Sequence, residues 1–438
     1  MLVLKFGGTS VGTAERIKNV GQLIVGGKTK IVVLSAMSGT TNQLLEYAAV
    51  LYKNKKHDAK KHLNSLKQYY IRVIDELFDT EAGKGKANEL IQYHFEYLES
   101  FNHDLFTLFE EKAVLAQGEM ISTALMHYHL EEIDIESVLL PALSFMRIDK
   151  DQEPDNYYIR ENLNRELSQH PDSNLFITQG FICRDVFGEI DNLKRGGSDY
   201  TASIIGAAID AEEIQIWTDI DGFHNNDPRV VTGTKRIDEL SFDEVAELAY
   251  FGAKILHPTS VRPAQLKNIP VRLKNTLHPD SPGTLITEKV SGKGKIKAVA
   301  AKDGISSIRI RSGRMLLAYG FLRKVFEIFE SHKTSIDMIT TSEVSVSVTI
   351  DDIEHLDAII DNLQKYGTVS VTHDQSIVCV VGDLIAERKG VARLVLNALS
   401  EIPLRMISYG SSSNNISLLI NSTDKEKALN ELSKQLFK

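Results

Sequence analysis

"LVLKFGGTSVG", residues 2–12, is the stretch whose reading decides the fold. Five residues of strand character run into paired glycines, and a segment follows whose inner face is Ala14, Ile17, Gly21 and Ile24, at helical spacing. Strand, tight turn and helix in that order open a unit in which a mainly parallel sheet is covered by helices. The glycines let a ligand approach the backbone, and free N–H groups at a helix start favour anions, so the turn is a candidate phosphate cradle. A plain tight turn accounts for the same residues equally well. Lys5 precedes the glycines, whereas a Walker-type phosphate loop places its lysine after them.

Working outward, short β-branched runs alternate with helical patterns from residue 1 to about 290. Strands are expected at "LVLKF", "IVVLSA" (31–36), "NLFITQGFIC" (174–183) and "IQIWTD" (214–219). Residues 43–130 read as a mostly helical subdomain, apart from "AGKGKAN" (82–88), which reads as a solvated loop. Proline, glycine and serine in "HPDSPGT" (278–284) and "SGKGK" (291–295) mark a linker. Beyond it, residues 305–375 read β-α-β-β-α-β and residues 376–438 begin the same order again without its last strand. "KIKAVAAK" (295–302) would complete that second sheet from outside, interlocking the copies. The 291–304 stretch is therefore expected to serve as linker and strand together. Such a duplicated module suits either regulatory ligand binding or a dimer interface.

Composition narrows the function. With 438 residues there is room for two or three domains, and the net charge of −9 is spread among both signs, which gives no general attraction to nucleic acid or an anionic membrane. Cys183 and Cys379 are the only cysteines, far apart, so neither a disulfide framework nor a zinc site is expected. With no cleavable signal pattern and no run of about 18 apolar residues, the expected location is the cytoplasm.

A second glycine pair lies in "LKRGGSDYTA" (193–202) at the mouth of a helix. Arg195 suits bidentate contact with a carboxylate, Gly196 and Gly197 suit close backbone approach, Ser198 suits capping or a ligand hydrogen bond, and Asp199 would orient a lysine. "WTDIDGFHNNDPR" (217–229) leaves a strand for a polar loop, where open parallel sheets bind ligands. Its acids lack EF-hand spacing, and no residue is assigned as a protein metal ligand. "FGAKILHP" (251–258) places Lys254 near a helix end.

Taken in order, "KFGGTSV", "VVLSAMSGTTN", "LAQGE", "ITQGFI", "KRGGSDYTA", "WTDIDGF", "NDPR" and "FGAKILHP" resemble the aspartate kinases of the amino-acid kinase superfamily. The resemblance covers the whole chain, since that family carries two interlocked ACT domains after the kinase domain; it implies the monofunctional form, without a fused homoserine dehydrogenase. The implied reaction is ATP plus L-aspartate to 4-phospho-L-aspartate and ADP, with Mg2+, at the head of lysine, threonine and methionine biosynthesis. Lys5 is implied to meet the transferred phosphoryl group, with Phe6, Gly7 and Gly8 beside the nucleotide phosphates. Ser35, Thr41, Glu119 and Arg195 through Ser198 would bind aspartate, Glu119 taking its α-ammonium. Thr218, Asp219, His224, Arg229, Lys254 and Ile255 match nucleotide-contact positions. Lys194 and His224 stand where relatives often carry glycine and tyrosine.

In "MLLAYGFL", "SID" and "TTSEVSV" the first ACT module resembles the lysine-inhibited class. Matching effector positions are Met315, Ala318, Phe321, Leu322, Ser335, Ile336, Asp337, Ser342 and Glu343. Asp337 would pair with an effector ammonium, and N–H groups near Phe321 with its carboxylate. A homodimer through the ACT domains, or a tetramer, is implied. An amino-acid kinase of glutamate type and a catalytically silent amino-acid sensor are the alternatives; threonine sensing or insensitivity remains open beside lysine.

Overall fold

The computed structural model describes residues 1–102, 105–193, 196–252, 255–291, 294–313 and 319–437. They form two compact units. The first comprises Met1–Phe223, Asp238–Phe242 and Leu256–Lys289; the second comprises His224–Ile237, Asp243–Ile255 and Val290–Lys438.

In the first unit an eight-stranded sheet runs, edge to edge, Val138–Leu140, Leu175–Gln179, Lys30–Leu34, Leu2–Phe6, Glu213–Thr218, Val271–Asn275, Thr284–Thr287 and Glu239–Ser241. The first six are mutually parallel, and Thr284–Thr287 runs antiparallel to its Val271–Asn275 neighbour. Leu2–Phe6 sits centrally, with Lys5 opposite Val33 on one side and Ile216 on the other. "KIVVL" is buried at every position, as a strand covered on both faces must be.

The helical subdomain consists of Thr40–Tyr52, Lys56–Leu77, Glu81–Ser100 and Leu108–Glu132. Its apolar faces merge with the sheet's into one core through Tyr47, Tyr70, Phe95 and Leu125. The last helix starts on a capping box, Thr107 with Glu110, and carries Glu119 inward.

Three local expectations are corrected. "NLFITQGFIC" is not one strand. Leu175–Gln179 ends at a turn where Phe181 takes φ 68°, and Ile182–Arg184 pairs instead with Ile190–Asn192. Thr201 Oγ1 accepts the Phe181 N–H at 2.9 Å, replacing the ladder bond that continued pairing would supply. "AGKGKAN" lies inside the Glu81–Ser100 helix, whose Thr80 cap accepts from the Gly83 N–H. "HPDSPGT" connects two paired strands of the first sheet, so the chain leaves that unit only after Lys289.

In the second unit the strand order is Ile339–Thr341, Ser345–Ile350, Ile296–Arg311, Thr368–Gly382, Asn415–Asn421 and Met406–Tyr409. Two long strands span it. Ile305–Arg311 pairs with Thr368–Gln375, and Ile296–Lys302 pairs with Ile377–Gly382. Register shifts near Lys302–Ile305 and a left-handed Asp374 (φ 54°) let both strands bend together, so the two repeats share a continuous sheet. Segments 224–237 and 243–255 group here for a packing reason: Val231 joins this unit's core, Asn226 Nδ2 donates to Leu429 O, and Val299 N donates to Asn225 O.

Ala300 lies directly opposite Cys379. Ala300→Cys should therefore form a disulfide with Cys379 under mild oxidation, seen by mass spectrometry as a loss of about 2 Da and a 300–379 cross-linked peptide. Ala298→Cys, which faces Val381, should not. The reverse pattern would contradict the register.

Candidate functional site

The site is built where the parallel strands of the first unit end. Leu2–Phe6 delivers Lys5 to the C-terminal edge of the sheet, and the helix Gly197–Ala208 brings Asp199 to it in its first turn. Lys5 Nζ lies 2.6 Å from Asp199 Oδ1, an ion pair set off-axis for a hydrogen bond, with the two side chains 12% and 16% exposed. Partial burial makes such a pair stronger than its surface counterparts.

The glycine turns are demanded by packing as well as by any ligand. A Cβ at Gly8 would stand 2.8 Å from the Ala36 carbonyl oxygen, so only glycine lets the first turn lie against the loop after the Lys30–Leu34 strand. Gly196, at φ 76°, caps the Gly197–Ala208 helix, and a Cβ there would meet Ser260 Oγ at 1.9 Å. The turn after Phe6 is pinned by Gly7 N donating to Trp217 O at 3.3 Å and by the Ser10 and Thr276 hydroxyls 2.7 Å apart.

Glu119 is 4% exposed, and its Oε2 has no hydrogen-bond partner. Burial pushes its carboxyl up to about 8 against a backbone hydrogen bond from Ala36, so the free protein holds it neutral at pH 7. A buried carboxyl with a vacant oxygen is suited to receive a cation. Its helix neighbours line the same wall: Gly118 is closed against Ala36, and Ser122 Oγ donates to Ser35 O at 2.7 Å. Thr40, at the head of the Thr40–Tyr52 helix beside Thr41, shares a 2.9 Å hydrogen bond with Tyr70.

A cavity of about 300 Å³ adjoins the first glycine turn, lined by Thr9, Ser10, Arg16, Asn19, Thr218 and Asp219 among others. Thr218 Oγ1 donates to Asp219 Oδ1 at 3.1 Å. The structure thus brings Lys5, Gly7, Gly8, Ser35, Glu119, Gly196, Gly197, Ser198, Asp199, Thr218 and Asp219 into the first unit, on or beside the strand ends. Arg16, Asn19 and Thr276 were not singled out in the sequence; a polar i, i+3 pair on the helix after the glycine turn was the available signal.

In the second unit, His224 Nδ1 is 3.0 Å from Thr234 Oγ1, Arg229 makes a two-pronged pair with Asp227 at 3.0 and 2.8 Å, and Ile255 comes after the Phe242–Tyr250 helix in the chain. Phe321 begins the Phe321–Ser331 helix with its ring in the core. Leu322, Ser335 and Glu343 are exposed, Ile336 packs against that core, and Ser342 Oγ lies 2.8 Å from Ser345 Oγ. Asp337 is already engaged: Lys302 Nζ and the Tyr250 hydroxyl reach its Oδ1 at 2.8 and 2.9 Å. Arg195, Lys254, Met315 and Ala318 lie outside the described residues, as does Lys194. Among the described residues no three His, Cys, Asp or Glu side chains gather as a metal site, and no helix is long and apolar enough to cross a membrane.

The sequence model of the Amino acid kinase family matches residues 1–275, and that of an ACT domain matches residues 378–436. The chain is 32% identical to the Lysine-sensitive aspartokinase 3 of Escherichia coli K12, over 100% of this chain and 99% of that one. Two crystal structures of E. coli aspartokinase III, one with lysine and aspartate (T-state) and one with aspartate and ADP (R-state), each align at a TM-score of 0.84 with 31% identity over the full length of both chains.

Glu119 makes stability depend on pH with a definite sign. An unfolded glutamate ionises near 4.3 and the folded one near 8, so between those values the unfolded state holds fewer protons and stability falls as pH rises. Glu119→Gln should remove that slope. From pH 5 to 8 the melting temperature of the unaltered protein should drop by several °C, on the order of a few kcal/mol, relative to the variant, as read by calorimetry. Parallel curves would contradict a buried neutral carboxyl.

Proposed function

We propose an activity for this chain on one premise: it belongs to the amino acid kinase family and, within it, to the aspartokinases. It transfers the terminal phosphoryl group of MgATP to the β-carboxylate of L-aspartate, giving 4-phospho-L-aspartate and ADP, and so opens the route to lysine, threonine and methionine. The observation that carries this reading is the Lys5–Asp199 pair at the mouth of the parallel sheet.

The chemistry explains why a fixed cation is the central need. A carboxylate with pKa near 4 is already ionised at pH 7, so the nucleophile requires no general base. Repulsion is the obstacle: unit charges about 4 Å apart interact by roughly 4 kcal/mol at an effective dielectric of about 20. Lys5 offsets that repulsion at the phosphoryl oxygens, and Asp199 holds its ammonium in place without acting as a base. Catalysis is then in-line positioning and charge neutralisation.

Glu119 receives the α-ammonium of aspartate, an ion pair that restores its negative charge. Ser35, Thr41, Arg195, Gly196, Gly197 and Ser198 hold the carboxylates. Phe6, Gly7 and Gly8 face the phosphates, with Thr218, Asp219, His224, Arg229, Lys254 and Ile255 along the nucleotide. Magnesium would be held mainly by the nucleotide's phosphate oxygens and by water, since such ions recruit few protein ligands, and it would supply further neutralisation of the phosphate charge.

L-Lysine inhibits through the first ACT module, its ammonium at Asp337 and its carboxylate at the N–H groups where the Phe321–Ser331 helix begins, with Met315, Ala318, Leu322, Ser335, Ile336, Ser342 and Glu343 around it. The enzyme works in the cytoplasm as a homodimer through its ACT modules.

Incubation with MgATP and L-aspartate should yield an acyl phosphate trapped by hydroxylamine. Product from glutamate alone would favour a glutamate-type kinase, and none from either a silent sensor. Lys5→Met should lower kcat by roughly 10²- to 10³-fold while moving the aspartate KM less than about threefold. Equal losses in both would contradict the role given to Lys5.

A further inference from the structure

The carboxylate assigned to the effector ammonium already holds an ammonium of the chain's own. Lys302, on the long Ile296–Arg311 strand, places Nζ 2.8 Å from Asp337 Oδ1 and 2.8 Å from Asp351 Oδ2. The Asp337 side chain is 1% exposed, and its Oδ2 has no hydrogen-bond partner. The same Nζ stands 4.7 Å over the Tyr250 ring, whose hydroxyl donates to Asp337 Oδ1. Four groups are therefore locked together: two acids, one cation and one aromatic ring. Burial pushes the Asp337 carboxyl above its ordinary range against the pull of Lys302 and Tyr250.

From this geometry we infer that Lys302 is a built-in competitor for the effector ammonium at Asp337, and that Tyr250 reports the exchange to Gly252, just past the end of its helix. The inference rests on the reading that Asp337 receives the effector. An ammonium that reaches the site finds Oδ2 buried and unpaired, but it arrives beside Lys302, and two cations on one buried carboxylate repel. Lys302 has a second seat at Asp351, which is 42% exposed and already in contact. Sliding fully onto Asp351 takes the cation off the Tyr250 ring face and leaves Asp337 to the ligand.

Tyr250 is well placed to feel that change. It is the last residue of the Phe242–Tyr250 helix, and the next turn is pressed on the same strand: Gly252 takes φ 123°, and a Cβ there would lie 2.0 Å from the Ala301 carbonyl oxygen, one residue before Lys302. The pair Lys302 on Asp337 and Lys302 on Asp351 thus supplies two discrete arrangements that an effector can bias.

Binding of L-lysine is measured by calorimetry on the full chain, with inhibition measured in parallel by the hydroxamate assay. Lys302→Met should tighten lysine binding by about tenfold, because the competitor is gone. Asp351→Asn should weaken it by about tenfold, because Lys302 loses its second seat. The opposite signs keep the test informative should either variant fold poorly. Tyr250→Phe should bind lysine within about threefold of the unaltered protein yet be inhibited far less at saturation. Unchanged or weaker binding in Lys302→Met, or inhibition in Tyr250→Phe that follows occupancy as before, overturns the proposal. Asp337→Asn separates the two levels: if it abolishes binding while Lys302→Met does not tighten it, only the competitor role fails; if it binds lysine normally, or the unaltered protein gives no heat, the effector reading and the proposal fail together.

Discussion

A single ion pair organises the catalytic unit. Lys5 leaves the central strand of the eight-stranded sheet, and Asp199, in the first turn of a buried helix, fixes where its ammonium points. A lysine has four rotatable bonds and a compact charge, so without a partner its position would be spread over many rotamers. Pairing confines it to the edge where the parallel strands end, where the proposed reaction would bring two anions together. The surrounding construction serves this point: Gly8 brings the turn after Lys5 against Ala36, and Gly196 seats the Asp199 helix against Ser260.

The regulatory unit uses the same pairing to a different end. Lys302 and Asp337 are also a lysine and an aspartate at contact distance, but a second acid and an aromatic ring share the cation. A cation with one seat is a fixed charge; a cation with two seats is a switch. The long strands Ile296–Arg311 and Thr368–Gly382 make that switch part of a continuous sheet, with Lys302 at the point where their register shifts. Glu119 stands apart from both, a carboxyl whose pKa burial raises and whose Oε2 has no hydrogen-bond partner.

Local patterns made much of this readable in advance. The Lys5 turn and the 196–199 turn stand out as candidates because glycine pairs lie beside charged residues at a strand or helix end, although a plain tight turn fits the first equally well, and the alternation of strands and helices carries the α/β class. Where local signal and tertiary contact disagree, reading fails. "NLFITQGFIC" looks like one continuous strand because the reason for its break, Thr201 taking the Phe181 N–H, comes from another helix. "AGKGKAN" looks like a loop because two glycines outweigh its cap; packing of the helical subdomain decides otherwise. The Lys302–Asp337–Tyr250 cluster joins residues 35 and 87 positions apart, and nothing in the neighbourhood of any one of them announces the others. The raised carboxyl of Glu119 likewise belongs to its surroundings and not to "LAQGE".

The claim on which the account turns is that Asp199 acts through Lys5. A double-mutant cycle on kcat, with Lys5→Met, Asp199→Asn and the two combined, tests it most directly. The account predicts strong non-additivity: Asp199→Asn slows the unaltered background, yet adds less than about a twofold loss once Lys5 is gone. Losses that simply multiply would show that Asp199 does separate work in the reaction and would contradict the claim.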